Sequence, residues 1–157
     1  MSNNRILLDT NILIYLLQGD EELREILEDK IWYISFMTEI ELLLKANISD
    51  AETKAIKALI QECFVIEMNS TIKEMTISSG QKHKLKPADS IIYASASYLA
   101  IPFITADKVF KRLTKDDTQI LLYEVWWIAS SKQKWSRHRF YKSPAPKPPK
   151  GVKTPFL

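Results

Sequence analysis

Residues 5–17 read RILLDTNILIYLL, and the fold turns on the aspartate in their midst. Ile6, Leu7 and Leu8 run into Asp9, and the apolar run Ile12 to Leu17 follows, with only Tyr15 partly polar. The first run has the length and branching of a strand and the second begins a helix, so Asp9 stands at a strand-to-helix junction where a chain builds its core. An ionised carboxylate taken out of water without a partner costs at least several kcal/mol. Asp9 is therefore a helix cap, half of a structural ion pair, or a ligand for something cationic.

The same alternation continues outward. Candidate strands are Ile6 to Leu8, Trp32 to Ser35, Phe64 to Glu67, Phe103 to Thr105 and Gln119 to Tyr123, each short and rich in Ile, Leu, Phe, Val or Tyr. Helices with start signals lie between them: Asp20 before EELREILEDK, Thr38 before EIELLLKA, Ser49 before DAETKAIKALIQEC, Ser70 before TIKEMTISSGQKHK, and Pro87 opening ADSIIYASASYLA. Strands and helices alternating through short links imply an α/β fold around a mainly parallel sheet.

Composition narrows the setting. With 157 residues, 46% of them hydrophobic, the chain makes one domain with a real core. A single cysteine, Cys63, rules out an internal disulfide, and MSNNRILLD lacks the apolar region and cleavage site of a signal peptide, so a reducing, cytoplasmic compartment is expected. Asp9 and Glu39 interrupt the most apolar runs, so no membrane span is expected. Residues 1–131 hold all 19 acids against 14 Lys and Arg, a net charge of −5, while residues 132–157 hold eight cations and no acid. The basic character of the whole is a property of its tail. After about Glu124 come Trp126, Trp127 and Trp135 and then SPAPKPPKGVKTPFL, with five of the seven prolines. Residues 1–125 are thus expected to form the domain, and 126–157 a basic, Trp- and Pro-rich extension that is partly disordered.

Four carboxylates sit in apolar or element-terminal positions: Asp9, Glu41 in TEIELLLK, Asp89 in KPADSIIYASA and Asp107 in FITAD. Each has a local explanation. Thr38 and Glu41 have capping-box spacing, Asp9 and Asp107 precede helices, and Asp89 lies in the first turn after Pro87. Their joint placement suggests more. Ligands of an open parallel sheet bind beyond the carboxyl ends of strands where strand order reverses, and Asp9 and Asp107 both end strands. Asp89 shares helical spacing with Ile92, Ala96 and Leu99, and Glu41 with Leu44 and Ile48, which points both acids inward. Four converging acids raise one another's pKa, and a hard divalent cation such as Mg²⁺ or Mn²⁺ resolves the repulsion while activating water and stabilising displacement at phosphorus. Zinc-like Cys and His spacing is absent, and the three glycines are isolated, which excludes a glycine-rich phosphate loop.

The segments LLDTNILIYLL, ISFMTEIELL, KPADSIIYASA and FITADKVF, in this order, resemble the four acidic motifs of the PIN-domain ribonucleases, most closely the VapC-type toxins of toxin–antitoxin pairs. The resemblance spans roughly Arg5 to Glu124. It implies a five-stranded, mainly parallel sheet in order 3-2-1-4-5 covered by helices on both faces. It also implies Mg²⁺ or Mn²⁺ held by Asp9, Glu41, Asp89 and Asp107 for RNA hydrolysis, with Asn11 and Thr105 bracing the first and fourth acids. A small cognate antitoxin and a homodimer follow from it too. Where many such toxins carry a further Asp after the fourth acid, this chain has Lys108 and Val109.

Other readings have less support. A phosphoryl-transfer signalling domain would want an acidic pair after the first strand, and an aspartyl phosphatase a second Asp where Asn11 stands. A PIN fold that binds RNA or protein without cutting stays open. The segment QKHKLK leads into the Asp89 motif, so Lys82, Lys84 and Lys86, with Lys108 beyond the fourth acid, are candidate RNA-phosphate contacts; the competing reading is a solvated helix end. The tail's interleaved cations and aromatics pose the same choice.

Overall fold

A computed structural model describes residues 4–117, 119–128 and 135–141. Its sheet has five parallel strands, β1 (Arg5–Leu8), β2 (Ile31–Ser35), β3 (Phe64–Ile66), β4 (Phe103–Thr105) and β5 (Ile120–Ile128), in the order 3-2-1-4-5. A sixth strand, β6 (Trp135–Tyr141), pairs antiparallel with β5 at the outer edge. All five expected strands are present. β5 runs on to Ile128, across the boundary expected at 125, and the expectation for residues 142–157 lies outside the described residues.

The helices are α1 (Thr10–Leu17), α2 (Glu21–Leu27), α3 (Phe36–Leu43), α4 (Asp50–Gln61), α5 (Ser70–His83) and α6 (Pro87–Leu99), with a 3-10 helix over Lys108–Lys115. None among the described residues is long and apolar enough to cross a membrane. Strand alternation sorts two cores. Ile6, Leu8, Ile34, Ile104 and Tyr123 face one layer with Ile12, Leu13, Leu23, Leu27, Ile56 and Leu59 from α1, α2 and α4. Leu7, Phe103, Ile120 and Leu122 face the other with Ile92 and Ala96 of α6 and Phe110 and Leu113 of the 3-10 helix. Handedness explains the division. Crossovers between parallel strands are right-handed, so helices lie on one face while the chain steps from β1 out to β3 and on the other when it returns to β4 and β5.

Three local expectations require correction. Helix α3 starts at Phe36, capped by Ser35, whose Oγ accepts from Met37 N–H at 3.3 Å. Thr38 is therefore not a cap but a fully buried residue of the first turn, and no Thr38–Glu41 capping box forms. Because α3 ends at Leu43, Leu44 is 77% exposed, and Glu41 is exposed as well, so the expected inward face shared by the two does not form. Asn69, not Ser70, caps α5, its side chain accepting from Ile72 N–H at 2.8 Å. Asp20 and Ser49 cap as expected, the latter in a reciprocal box with Glu52.

Helices α5 and α6 touch at their smallest residues. A Cβ on Gly80 would lie 2.9 Å from Ser90 Oγ, and Ser90 is buried with a hydroxyl that has no hydrogen-bond partner. Gly80→Ala is expected to cost roughly 1 kcal/mol or more despite alanine's helix propensity, because the added methyl meets the buried Ser90 Oγ at 2.9 Å and something must shift. With Ser90→Ala already in place the same change should stabilise. Thermal melts of the two single variants and the double variant test this, and additive effects would refute the contact.

Candidate active site

The four acids meet because of where the fold puts element ends. Asp9 follows β1 and Asp107 follows β4, the neighbours at which strand order reverses. Helix α3 leaves β2 at the same edge of the sheet, with Glu41 in its second turn, and α6 returns toward β4, so its first turn, bearing Asp89, lies at that edge as well. The charges sense one another. Asp9 feels Glu41 and Asp107, and Asp89 feels Asp107 and Glu41. Lys86 is the cation that partly offsets the crowding at Asp89.

Asp9 is 6% exposed and caps α1. One carboxylate oxygen accepts from Thr10 N–H at 2.8 Å and the other from the Thr105 hydroxyl in a short bond. Thr105 Oγ1 in turn accepts from Asp107 N–H at 2.9 Å, which ties the turn after β4 to the end of β1. Asn11 Oδ1 accepts from Ala106 N–H at 3.1 Å and adds a second tie. Asp107 caps the 3-10 helix by accepting from Val109 N–H at 2.8 Å. Glu41 accepts from the Thr10 hydroxyl, which lies 3.4 Å from Thr38 Oγ1. Thr10 and Thr38 were missed in the sequence; the signal was there for Thr10, a hydroxyl beside Asp9 in an otherwise apolar run.

Burial pushes the Asp9 carboxyl up to about 7, with Glu41 and Asp107 adding to the rise and the Thr105 and Thr10 bonds opposing it. Asp89 is raised by burial and then by Asp107 and Glu41. Among the described residues no three His, Cys, Asp or Glu side chains are disposed as a ready set of metal ligands. Both carboxylate oxygens of Asp9, and one each of Glu41 and Asp107, accept from hydroxyls or backbone N–H groups instead. In kind the donors, all carboxylate oxygens short of positive charge, suit a hard cation.

The basic candidates lie on one flank. Lys82, Lys84, Lys86 and Lys108 are exposed, and Lys84 ends α5 in the left-handed conformation with φ 51°. His83 sits edge-on to the Tyr93 ring and lines a cavity of about 380 Å³ between α5 and α6 that none of the four acids reaches.

The sequence matches the family model of the PIN domain over residues 6–116. No curated protein matches it significantly. A chain of a toxin–antitoxin complex from Klebsiella pneumoniae superposes with a TM-score of 0.63 and 28% identity, over 73% of this chain and 94% of that one. A chain of VapBC-1 from nontypeable Haemophilus influenzae gives 0.57 and 26%, over 71% and 93%. A chain of VapBC2 from Rickettsia felis, solved bound to a DNA fragment from its promoter, shares the fold at 0.62 and 17% identity, over 69% and 92%.

The raised Asp9 carboxyl has a stability signature. The folded chain keeps this proton to higher pH than the unfolded chain, so metal-free protein should lose stability as pH rises from the ordinary value of 3.8 toward about 7. Asp9→Asn removes that loss, keeps an oxygen for Thr10 N–H, and should melt well above wild type at pH 8 but by a much smaller margin at pH 4. The gain is of the order of a few kcal/mol. A margin that does not change with pH would show that Asp9 is an ordinary cap.

Proposed function

Since the chain belongs to the PIN-domain family, we propose that it is a divalent-metal-dependent endoribonuclease and the toxin of a toxin–antitoxin pair. The observation that carries this reading is the convergence of Asp9, Glu41, Asp89 and Asp107 from four separate elements onto the strand-reversal edge, with no cationic side chain bonded to any of them among the described residues. The likeness to a toxin–antitoxin complex and to VapBC-1 supports the toxin role, and with it a cognate antitoxin partner; a homodimer belongs to the same reading through the family resemblance alone.

In this reading the four acids hold Mg²⁺ or Mn²⁺, which supplies charge at the scissile phosphate and a more acidic water. The surrounding residues set the stage. Thr105 fixes the rotamer of Asp9 and the backbone position of Asp107 together, Asn11 holds the turn between Thr105 and Asp107, and Thr10 aims Glu41 at the same edge. Lys82, Lys84, Lys86 and Lys108 offer phosphate contacts at the rim. All four acids lie within residues 1–125, so in this reading the basic extension 126–157 carries none of the chemistry.

A second reading has an observation of its own. The engaged oxygens of Asp9, Glu41 and Asp107, with no ready ligand set, favour a PIN fold that binds RNA or protein without cutting. Incubating single-stranded RNA with the chain and either metal separates the two. Cleavage that a chelator stops and added Mg²⁺ or Mn²⁺ restores, and that Asp9→Asn abolishes, is expected of the nuclease. Thr105→Ala should slow it by roughly 10–100-fold, the scale of a lost ligand-orienting bond. The metal should also raise the melting temperature of wild type much more than that of Asp9→Asn. RNA bound yet uncut whatever the metal would establish the non-catalytic module.

A further inference from the structure

The segment KVFKRLTK, directly after Asp107, winds as a 3-10 helix, and that winding sorts its side chains. With three residues per turn, positions three apart line up in rows. Phe110 and Leu113 form the inward row and are buried at 1% and 2% exposure. Lys108, Lys111 and Thr114 form a second row, and Val109, Arg112 and Lys115 a third. The two outward rows carry every cation of the segment. Lys108, Val109, Lys111, Arg112 and Lys115 line a surface depression of about 460 Å³ with no acidic residue in its wall.

Ordinary helix stabilisation does not account for this placement. Arg112 and Lys115 in the last turn suit the negative helix end, but Lys108 stands at the positive end just after the capping Asp107, and Lys111 lies mid-helix where the helix ends give it little. Nor do ion pairs account for it. The segment's ion pair is Lys111 Nζ to Glu124 Oε1, at 3.9 Å with the lysine side chain 60% exposed, which is worth little. Arg112 reaches across and donates to the carbonyls of His83 and Lys84, joining this surface to the basic end of α5.

We propose that this cationic depression is a phosphate track holding one single-stranded flank of the RNA substrate beside the acidic site. The inference rests on the nuclease reading and adds Lys111, Arg112 and Lys115 to the residues that reading names. The track starts one residue from Asp107 and extends roughly 16 Å, at about 2 Å per residue of 3-10 helix, enough for a short run of phosphates. It also answers an electrostatic need. Residues 1–131 carry a net charge of −5, so an RNA strand nears four carboxylates only where local cations reverse the field. Lysine point charges on an exposed ridge suit the sequence-independent backbone and impose no base preference.

The test uses the full chain carrying Asp9→Asn to prevent cutting, and a short fluorescent single-stranded RNA titrated at several salt concentrations. Replacing Lys108, Lys111 and Lys115 together by Gln should weaken binding and flatten the dependence of log affinity on log salt by ~2, at ~0.7 per lost phosphate contact. Replacing the exposed Lys54, Lys57 and Lys73 of α4 and α5 by Gln removes the same charge away from the track and should leave the slope within error. Melting curves check that all three proteins are folded. RNA binding with an unchanged slope in the track variant, or an equal change in both variants, overturns the track and leaves the nuclease reading standing. A parent chain that binds no RNA at any salt, alongside wild type that cleaves none with either metal, overturns both.

Discussion

A carboxylate buried without a cation sets the terms for the rest of this molecule. Asp9 is almost shut off from water, at 6% exposure, and the fold surrounds it with dipoles: the N-terminus of α1, the Thr10 N–H and the Thr105 hydroxyl. These bonds lower the cost of burial without cancelling it, which is why the carboxyl still titrates far above its usual range. The remaining imbalance is the energy a cation at this edge would recover. Had stability been the only requirement, an asparagine at position 9 would cap α1 as well without carrying a buried charge.

Thr105 is the joint on which this arrangement hangs. Its hydroxyl donates to Asp9 and accepts from the Asp107 backbone, so a single buried residue at the end of β4 sets the spacing between two strands' terminal acids. Asn11 repeats the logic one residue away by holding Ala106 N–H. The parallel pairing of β1 with β4, in which Leu8 lies opposite Ile104, supplies the coarse register, and the side-chain bonds make the final adjustment. The covering helices then contribute Glu41 from the second turn of α3 and Asp89 from the first turn of α6.

Much of this was legible in the sequence, and the failures have physical causes. Asp9, Asp107 and Asp89 could be placed because a branched strand or a first-turn proline fixes where the neighbouring element begins. Glu41 was placed at the right edge partly for the wrong reason. Thr38 and Glu41 have capping-box spacing, but Ser35 ends β2 and takes the cap three residues earlier, so Thr38 is drawn into the core and Glu41 turns to Thr10. Leu44, counted as inward by an extended helical period, lies beyond the end of α3. The basic face of Lys108–Lys115 was legible but not read: at a period of 3.6 as at a period of three, its four cations fall on the side opposite Phe110 and Leu113.

Charge is thereby segregated by geometry and not by blocks of sequence. Asp107 and Lys108 are adjacent in the chain, yet Asp107 turns back to cap Val109 N–H beside the other acids while Lys108 opens the basic face. The switch from extended strand to 3-10 helix at this point lets neighbouring residues serve opposite fields. In the proposed reading, an acidic centre flanked by a basic wall would attract a polyanion along one line and repel it elsewhere, so that direction of approach is selected before any base is read. Arg112 fastens this wall to the end of α5 by donating to the carbonyls of His83 and Lys84. Capping those carbonyls with a guanidinium turns a repulsive helix end into part of the attractive surface.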